Sequence, residues 1–230
     1  MHPTTILLTA ILAALTPFTS STPLPQLTGL TGSTSSTTST TCAPITLIFA
    51  RGTFEAGTMG SVVGPSLSSD LQKALGSTKL STQGVAYSAD VGGIFGEIAG
   101  GAGTAAMVAQ AQKVLTGCPK TRIVLSGYSQ GAMLVHHTVE KLTAAQKARV
   151  VAAVTFGDPF KSSKLDGVPV AAFKTFCATG DPVCGLGGVS ALSGMVSSGG
   201  DQSSSMLNHL GYGADAPAAA KFIQARVGAT

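Results

Sequence analysis

"RIVLSGYSQGAMLVHHTVEKL", Arg122 to Leu142, decides the fold. Its first five residues form an apolar β-type run and its last eleven carry helical spacing, so a strand runs into a helix across "GYSQG". Glycines stand two residues to either side of Ser129. A serine hydroxyl is a weak nucleophile near neutral pH. It gains reactivity when a tight turn exposes it beside a base, with amide donors facing the developing oxyanion. In a chain with 29 glycines a bare G-x-S-x-G carries little weight, but the pattern occurs once, between strand and helix, the setting that makes Ser129 a candidate nucleophile.

Outward from this turn, short apolar runs alternate with helical patterns. Strands are expected at Ile45–Ala50, more weakly at Gly84–Tyr87, at Ile123–Ser126, Val151–Phe156 and Val170–Phe176. Helices are expected at Leu67–Leu75, Thr104–Leu115, Ala132–Leu142 and Pro217–Val227, the last preceded by Asp215 and opened by a proline suited to a first turn. Such alternation predicts an α/β class, a three-layer sandwich with a mostly parallel sheet covered by helices on both faces. No repeat of 20 to 50 residues is visible.

Cys42 and Cys118 each precede a strand, at the N-terminal edge of such a sheet; Cys177 and Cys184 follow one, at the opposite edge. Of the three pairings that four cysteines permit, this topology favours Cys42 with Cys118 and Cys177 with Cys184. A zinc site is the competing reading and lacks the usual paired close spacings; no metal is expected.

A base for Ser129 must come from four histidines. His2 belongs to an N-terminal segment that export would remove. His136 and His137 lie seven and eight residues along the helix, about 10 to 12 Å up its axis, out of reach; one is expected to pack and the other to face solvent. His209, in an expected loop before the last helix, remains. Asp181 lies between nucleophile and histidine in the Ser, acid, His order of α/β-hydrolases, bracketed by Cys177 and Cys184. Its task is to hold an imidazole tautomer and stabilise the imidazolium. Asp158 in "FGDPF" shares the Asp-Pro context and is the alternative acid.

The segments "FARGTFEAGTMG", "GYSQG", "FCATGDPVC" and "HLGYG", in that order, resemble the cutinase family of small secreted serine esterases over essentially Cys42 to the C-terminus. The resemblance implies an α/β-hydrolase sandwich with about five central strands, and hydrolysis of cutin-type polyester and other carboxylic esters. Carried over by position, it implies a triad of Ser129, Asp181 and His209, an oxyanion hole of the Gln130 backbone N–H and the Thr53 hydroxyl, and the same two disulfides. Many members carry serine where this chain has Thr53. The 27 residues between Asp181 and His209 exceed those of compact members. Within them Val189, Leu192 and Val196 recur at helical spacing between glycine clusters, so a lid over residues 185–207 is expected.

Ahead of Cys42, the apolar run Ile6 to Leu15 is too short to span a bilayer and is followed by Pro17 and small polar residues, as in a signal peptide over residues 1–20. Residues 21–41, including the Ser/Thr tract Thr31 to Thr41, read as a flexible segment before a single catalytic domain over 42–230. The chain is therefore expected to be secreted and extracellular. Its one asparagine, Asn208, is not in a glycosylation context. The net charge of +4 comes from scattered lysines and arginines, and aromatics make up 5%, which argues against a nucleic-acid partner. Expected partners are lipid or polyester substrates, with no cofactor, no stable membrane insertion and a monomeric state. An acetylxylan esterase or lipase on the same fold is the alternative within hydrolases. A catalytically inactive surface-binding protein is the alternative of another class.

Overall fold

All six residues of strand β1 (Ile45–Ala50) are buried, as a strand covered on both faces requires. The structure is a computed structural model that describes residues 42–185 and 203–228. The expected signal peptide, the Ser/Thr segment and residues 186–202 of the expected lid lie outside the described residues. The described residues belong to one compact unit.

Helix α1 (Gly64–Leu75) leads to β2 (Leu80–Gly84), then α2 (Val91–Glu97), α3 (Ala102–Gly117), β3 (Arg122–Tyr128), α4 (Gln130–Lys141), the one-turn α5 (Ala144–Lys147), β4 (Val150–Phe156) and β5 (Phe173–Phe176). Beyond residue 202 come α6 (Ser203–Leu210), a 3₁₀ turn at Tyr212–Asp215 and α7 (Ala216–Gly228). The five strands are all parallel, in the order β2-β1-β3-β4-β5. The direction of winding reverses between β1 and β3. Open α/β sheets place their ligands at the C-terminal strand ends of such a switch point. Ser129 follows β3 there, and Thr53 lies three residues after β1.

Alternation along the strands divides the core. Ile45, Leu47 and Phe49 of β1 face Leu67 and Leu71 of α1 and Ala219 and Ile223 of α7. Ile48 and Ala50 point the other way, to Met107 and Ala111 of α3 and Leu134 and Val135 of α4. Both faces of the sheet are therefore covered, and the expected three-layer architecture is present. The disulfides join Cys42 to Cys118 and Cys177 to Cys184, so all four cysteines are committed and the zinc reading is excluded for them.

Several boundaries depart from expectation. The second strand ends at Gly84 where it was expected to begin, because Leu80–Gly84 is a sheet edge with one buried residue and no apolar run to mark it. Val170–Ala172 is a 3₁₀ turn ahead of β5. Helix α2 was not anticipated: "VGGIFGE" carries three glycines, each unfavourable in a helix, and forms with Asp90 capping it through the Gly93 N–H at 2.6 Å. His209 lies in α6 and not in a loop. The Ser203 to Ser205 run has weak helix preference and reads as linker, whereas contacts from β3 and Asp181 fix the far end of this helix.

The glycines of the opening motif are explained by contact. A Cβ on Gly131 would stand 2.1 Å from the Ala50 carbonyl oxygen, and one on Gly127 2.1 Å from the Gly131 oxygen. Strand and helix meet here with no room for a methyl group. Gly131→Ala is expected to cost about 3 kcal/mol or more, lowering the thermal midpoint by roughly 10 °C. A thermal unfolding scan checks this.

Candidate functional site

Ser129 is the N-cap of α4 and has φ 56° and ψ −120°, in the left-handed region that a non-glycine residue rarely adopts. Its amide donates to the Phe156 carbonyl of β4 at 2.9 Å and its carbonyl accepts the Ala132 N–H at 2.9 Å, so the strained turn is tied on both sides. This geometry turns the side chain out of the strand and aims it along the sheet edge. There His209 Nε2 lies 2.9 Å from Ser129 Oγ.

His209 Nδ1 lies 2.9 Å from Asp181 Oδ2. A carboxylate only accepts, so Nδ1 carries the ring proton and Nε2 is left to accept the serine hydroxyl. Asp181 Oδ1 takes the Val183 N–H at 2.8 Å and its own amide donates to the Ala178 carbonyl at 3.1 Å, within the loop that Cys177–Cys184 closes. Ser129 and His209 are each 3% exposed, and Asp181 8%. Burial opposes ionisation of Asp181. The hydrogen bonds from His209 and Tyr212, the charge of His209 and the Val183 amide outweigh it, and the carboxyl sits below its ordinary value of 3.8.

A lowered folded-state value has a defined sign. The stabilisation from ionised Asp181 is complete above the unfolded value near 4 and is lost as pH falls through the lower folded value. Acid titration of unfolding free energy is expected to show this loss below about pH 4, and Asp181→Asn to flatten it.

The alternative acid is otherwise engaged. Asp158 Oδ2 accepts Thr155 Oγ1 at 2.7 Å and lies 2.9 Å from His136 Nε2, while Oδ1 accepts the Phe160 N–H. His136 is buried between the rings of Phe160 and Phe173. His137 is half-buried, with Glu140 on one ring nitrogen and the Ile98 carbonyl on the other. Neither histidine belongs to the Ser129 cluster.

Thr53 Oγ1 is 3.1 Å from Gln130 Oε1, which brings the β1 turn against the start of α4. Gln130 is fully buried and opens the helix, where first-turn amides lack intrahelical partners. The turn holding Thr53 is built by two residues that sequence reasoning passed over. Arg51 donates to the carbonyls of Glu55 (2.6 Å) and Tyr87 (2.7 Å), and Glu55 accepts the amides of Gly52, Ser61 and Val62, each at 2.7 Å. The charged pair inside "ARGTFE", beside an apolar strand, was the available signal. Two tyrosines were also missed: Tyr128 Oη donates to the His209 carbonyl at 2.8 Å, and Tyr212 Oη to Asp181 Oδ2 at 2.5 Å. A groove of about 700 Å³ beside Cys42, Gln83, Gln110, Lys113 and Cys118 lies at the other end of the sheet and touches none of these groups.

A buried serine, histidine and carboxylate in hydrogen-bonded series, beside a helix-start amide and a hydroxyl, is suited to acyl transfer. Comparison with known proteins agrees. The family model described as Cutinase matches residues 41–227. Cutinase 4 of Emericella nidulans is 46% identical over 187 residues, 81% of this chain and 73% of that one. Cutinase of Monilinia fructicola is 40% identical over 80% of this chain and 83% of its own. Among solved structures, Trichoderma reesei cutinase in complex with a C11Y4 phosphonate inhibitor aligns with TM-score 0.68 and 36% identity, over 81% of this chain and 78% of that chain. An acetyl xylan esterase aligns with TM-score 0.61 at 21% identity, over 81% and 99%, and shares the fold.

Proposed function

This chain belongs to the cutinase family of carboxylic ester hydrolases, and from that premise we propose that Ser129, His209 and Asp181 carry its chemistry on cutin-type polyester and smaller esters. The observation that supports this reading best is the unbroken hydrogen-bonded series Ser129 Oγ, His209 Nε2, His209 Nδ1, Asp181 Oδ2, with both contacts at 2.9 Å.

Ser129 attacks the ester carbonyl carbon as its proton passes to His209 Nε2. Asp181 stabilises the imidazolium without taking the proton. The tetrahedral oxyanion is held by the Gln130 N–H and by Thr53, whose hydroxyl turns from Gln130 Oε1 to the new charge. The alcohol leaves with the proton from Nε2, and water repeats both steps on the acyl-enzyme.

The surroundings suit an apolar, insoluble substrate. Phe54, next to Thr53, is 78% exposed, and Leu207 and Leu210 on either side of His209 are also exposed. Exposed apolar side chains flanking a reactive centre favour an acyl chain or a polyester surface over a soluble polar ligand. Export to the extracellular space is part of this reading, supported by the two disulfides and the N-terminal apolar run.

A panel of short acyl nitrophenyl esters, cutin and acetylated xylan tests the assignment. Hydrolysis of the short esters and of cutin is expected; activity confined to acetylated xylan would overturn the substrate class. Thr53→Val, which keeps the shape and removes the hydroxyl, is expected to lower kcat about 10²-fold with KM little changed, and Thr53→Ser to retain most of the rate. Steady-state kinetics on a soluble ester reads both.

A further inference from the structure

Tyr212 lies three residues beyond His209, in the 3₁₀ turn ahead of α7, and is 1% exposed. Its oxygen accepts the Ala178 N–H at 2.8 Å. With that lone pair engaged by a donor, the phenol proton is directed to the acceptor on the other side, Asp181 Oδ2 at 2.5 Å. That carboxylate oxygen is the one His209 Nδ1 donates to. The tyrosine ring stands at 87° to the imidazole, centroids 6.1 Å apart. Gly157, at φ +53°, makes the close approach feasible: a Cβ there would lie 2.6 Å from His209 Cε1 and 3.0 Å from Tyr212 Cε2.

We infer that Tyr212 is a positioning residue of the reaction, its hydroxyl fixing the orientation of the Asp181 carboxylate and drawing part of that charge away from His209. The inference rests on the reading of Asp181 and His209 as acid and base. Asp181 then receives donors from Val183, Tyr212 and His209, which hold its plane against rotation. A carboxylate shared with a phenol holds the imidazolium less tightly than one engaged by the imidazole alone, so Tyr212 sets how basic His209 becomes during turnover. The phenol stays neutral to carry out this role: burial first, then its bond to Asp181, push its ionisation well above the ordinary tyrosine range. Among the described residues, the titratable groups facing this cluster are His209 and Tyr128, with Glu55 acting on Tyr128 and Asp215 acting on Tyr212 from its own turn.

The signs follow. Tyr212→Phe keeps the ring and removes the hydroxyl, and with it both the donor to Asp181 and the acceptor of the Ala178 N–H. The carboxylate becomes more basic, the imidazolium is better stabilised, and the acid limb of kcat/KM on a soluble ester moves to higher pH by about half to one unit. The freed carboxylate also loses its fixed orientation, so kcat falls about tenfold with KM within twofold. A space-filling role alone would leave the acid limb where it is.

The test is the pH profile of kcat/KM for wild type, Tyr212→Phe, and protein with 3-fluorotyrosine placed at position 212, whose more acidic phenol donates more strongly. Opposite displacements, upward for phenylalanine and downward for fluorotyrosine, are expected. The fluorinated protein retains the hydrogen bond and serves even where the phenylalanine variant folds poorly. An acid limb unmoved in the folded variants overturns the inference, whatever happens to kcat. Phosphonate labelling of Ser129, run alongside, separates the two levels. Labelled protein with coincident profiles rejects the role of Tyr212 alone, and wild type that does not label rejects the triad on which it depends.

Discussion

Ser129→Ala is expected to lower kcat on a soluble ester by about 10⁵ to 10⁶-fold and to leave no acyl-enzyme in rapid-quench experiments. The residue supplies the only atom in the cluster that becomes covalently bonded to the substrate in the proposed cycle. Folding should survive the change. The elbow is held by the Ser129 amide and carbonyl and by the glycine contacts on either side, none of which involves Oγ. Relief of the strained turn is not expected either, because alanine at φ 56° pays the same steric cost as serine. Binding of substrate through Phe54, Leu207 and Leu210 should persist, so an inactive variant that still adsorbs to polyester is the expected phenotype.

Asp181→Asn is expected to lower kcat by roughly 10⁴-fold with little change in KM. An amide in place of the carboxylate can offer its NH₂ to Nδ1, which forces the ring proton onto Nε2 and leaves no acceptor for the serine hydroxyl. The matched control is Asp158→Asn. Both aspartates precede a proline, both are buried and both contact a histidine. Asp158 serves His136, Thr155 and the Phe160 amide, so its amide variant is expected to lose stability while kcat stays within about threefold of wild type. Kinetics and thermal unfolding on the two variants should therefore separate cleanly, one changing mainly in rate and the other mainly in midpoint.

How far this site is legible in the chain follows from which constraints are local. The strand-turn-helix around Ser129 is written in contiguous residues, with apolar spacing on both sides and glycines whose absent side chains clear Ala50 and Gly131. The parallel sheet and the disulfide pairing follow from the order of elements, because the pairing depends on which sheet edge each cysteine occupies. His209 emerges by elimination, since helix geometry puts His136 and His137 out of reach of the turn.

Other features depend on contacts across long stretches of chain. Leu80–Gly84 joins the sheet through backbone pairing with β1, which polar edge residues do not announce. Helix α2 forms despite its glycines because Asp90 caps it and because Ile94 and Glu97 are buried. Glu97 itself accepts the amides of Gly103 and Thr104 at the start of α3, a tie between neighbouring helices invisible to periodicity. The pairing of Asp158 with His136 joins residues 22 apart through the fold, and the contacts of Tyr128 with His209 and Tyr212 with Asp181 join residues 81 and 31 apart. Such partners carry no local pattern. Short motifs name the atoms that react, and the residues that hold them in place come from the packing around them.

The most direct test is labelling of the folded protein with an alkyl phosphonate ester, followed by peptide mapping. One label per chain on Ser129 is expected, abolished in Ser129→Ala and strongly slowed in His209→Ala, with esterase activity lost in step with labelling. Folded protein that hydrolyses esters while Ser129 stays unlabelled, or that labels at a different serine, would contradict the assignment.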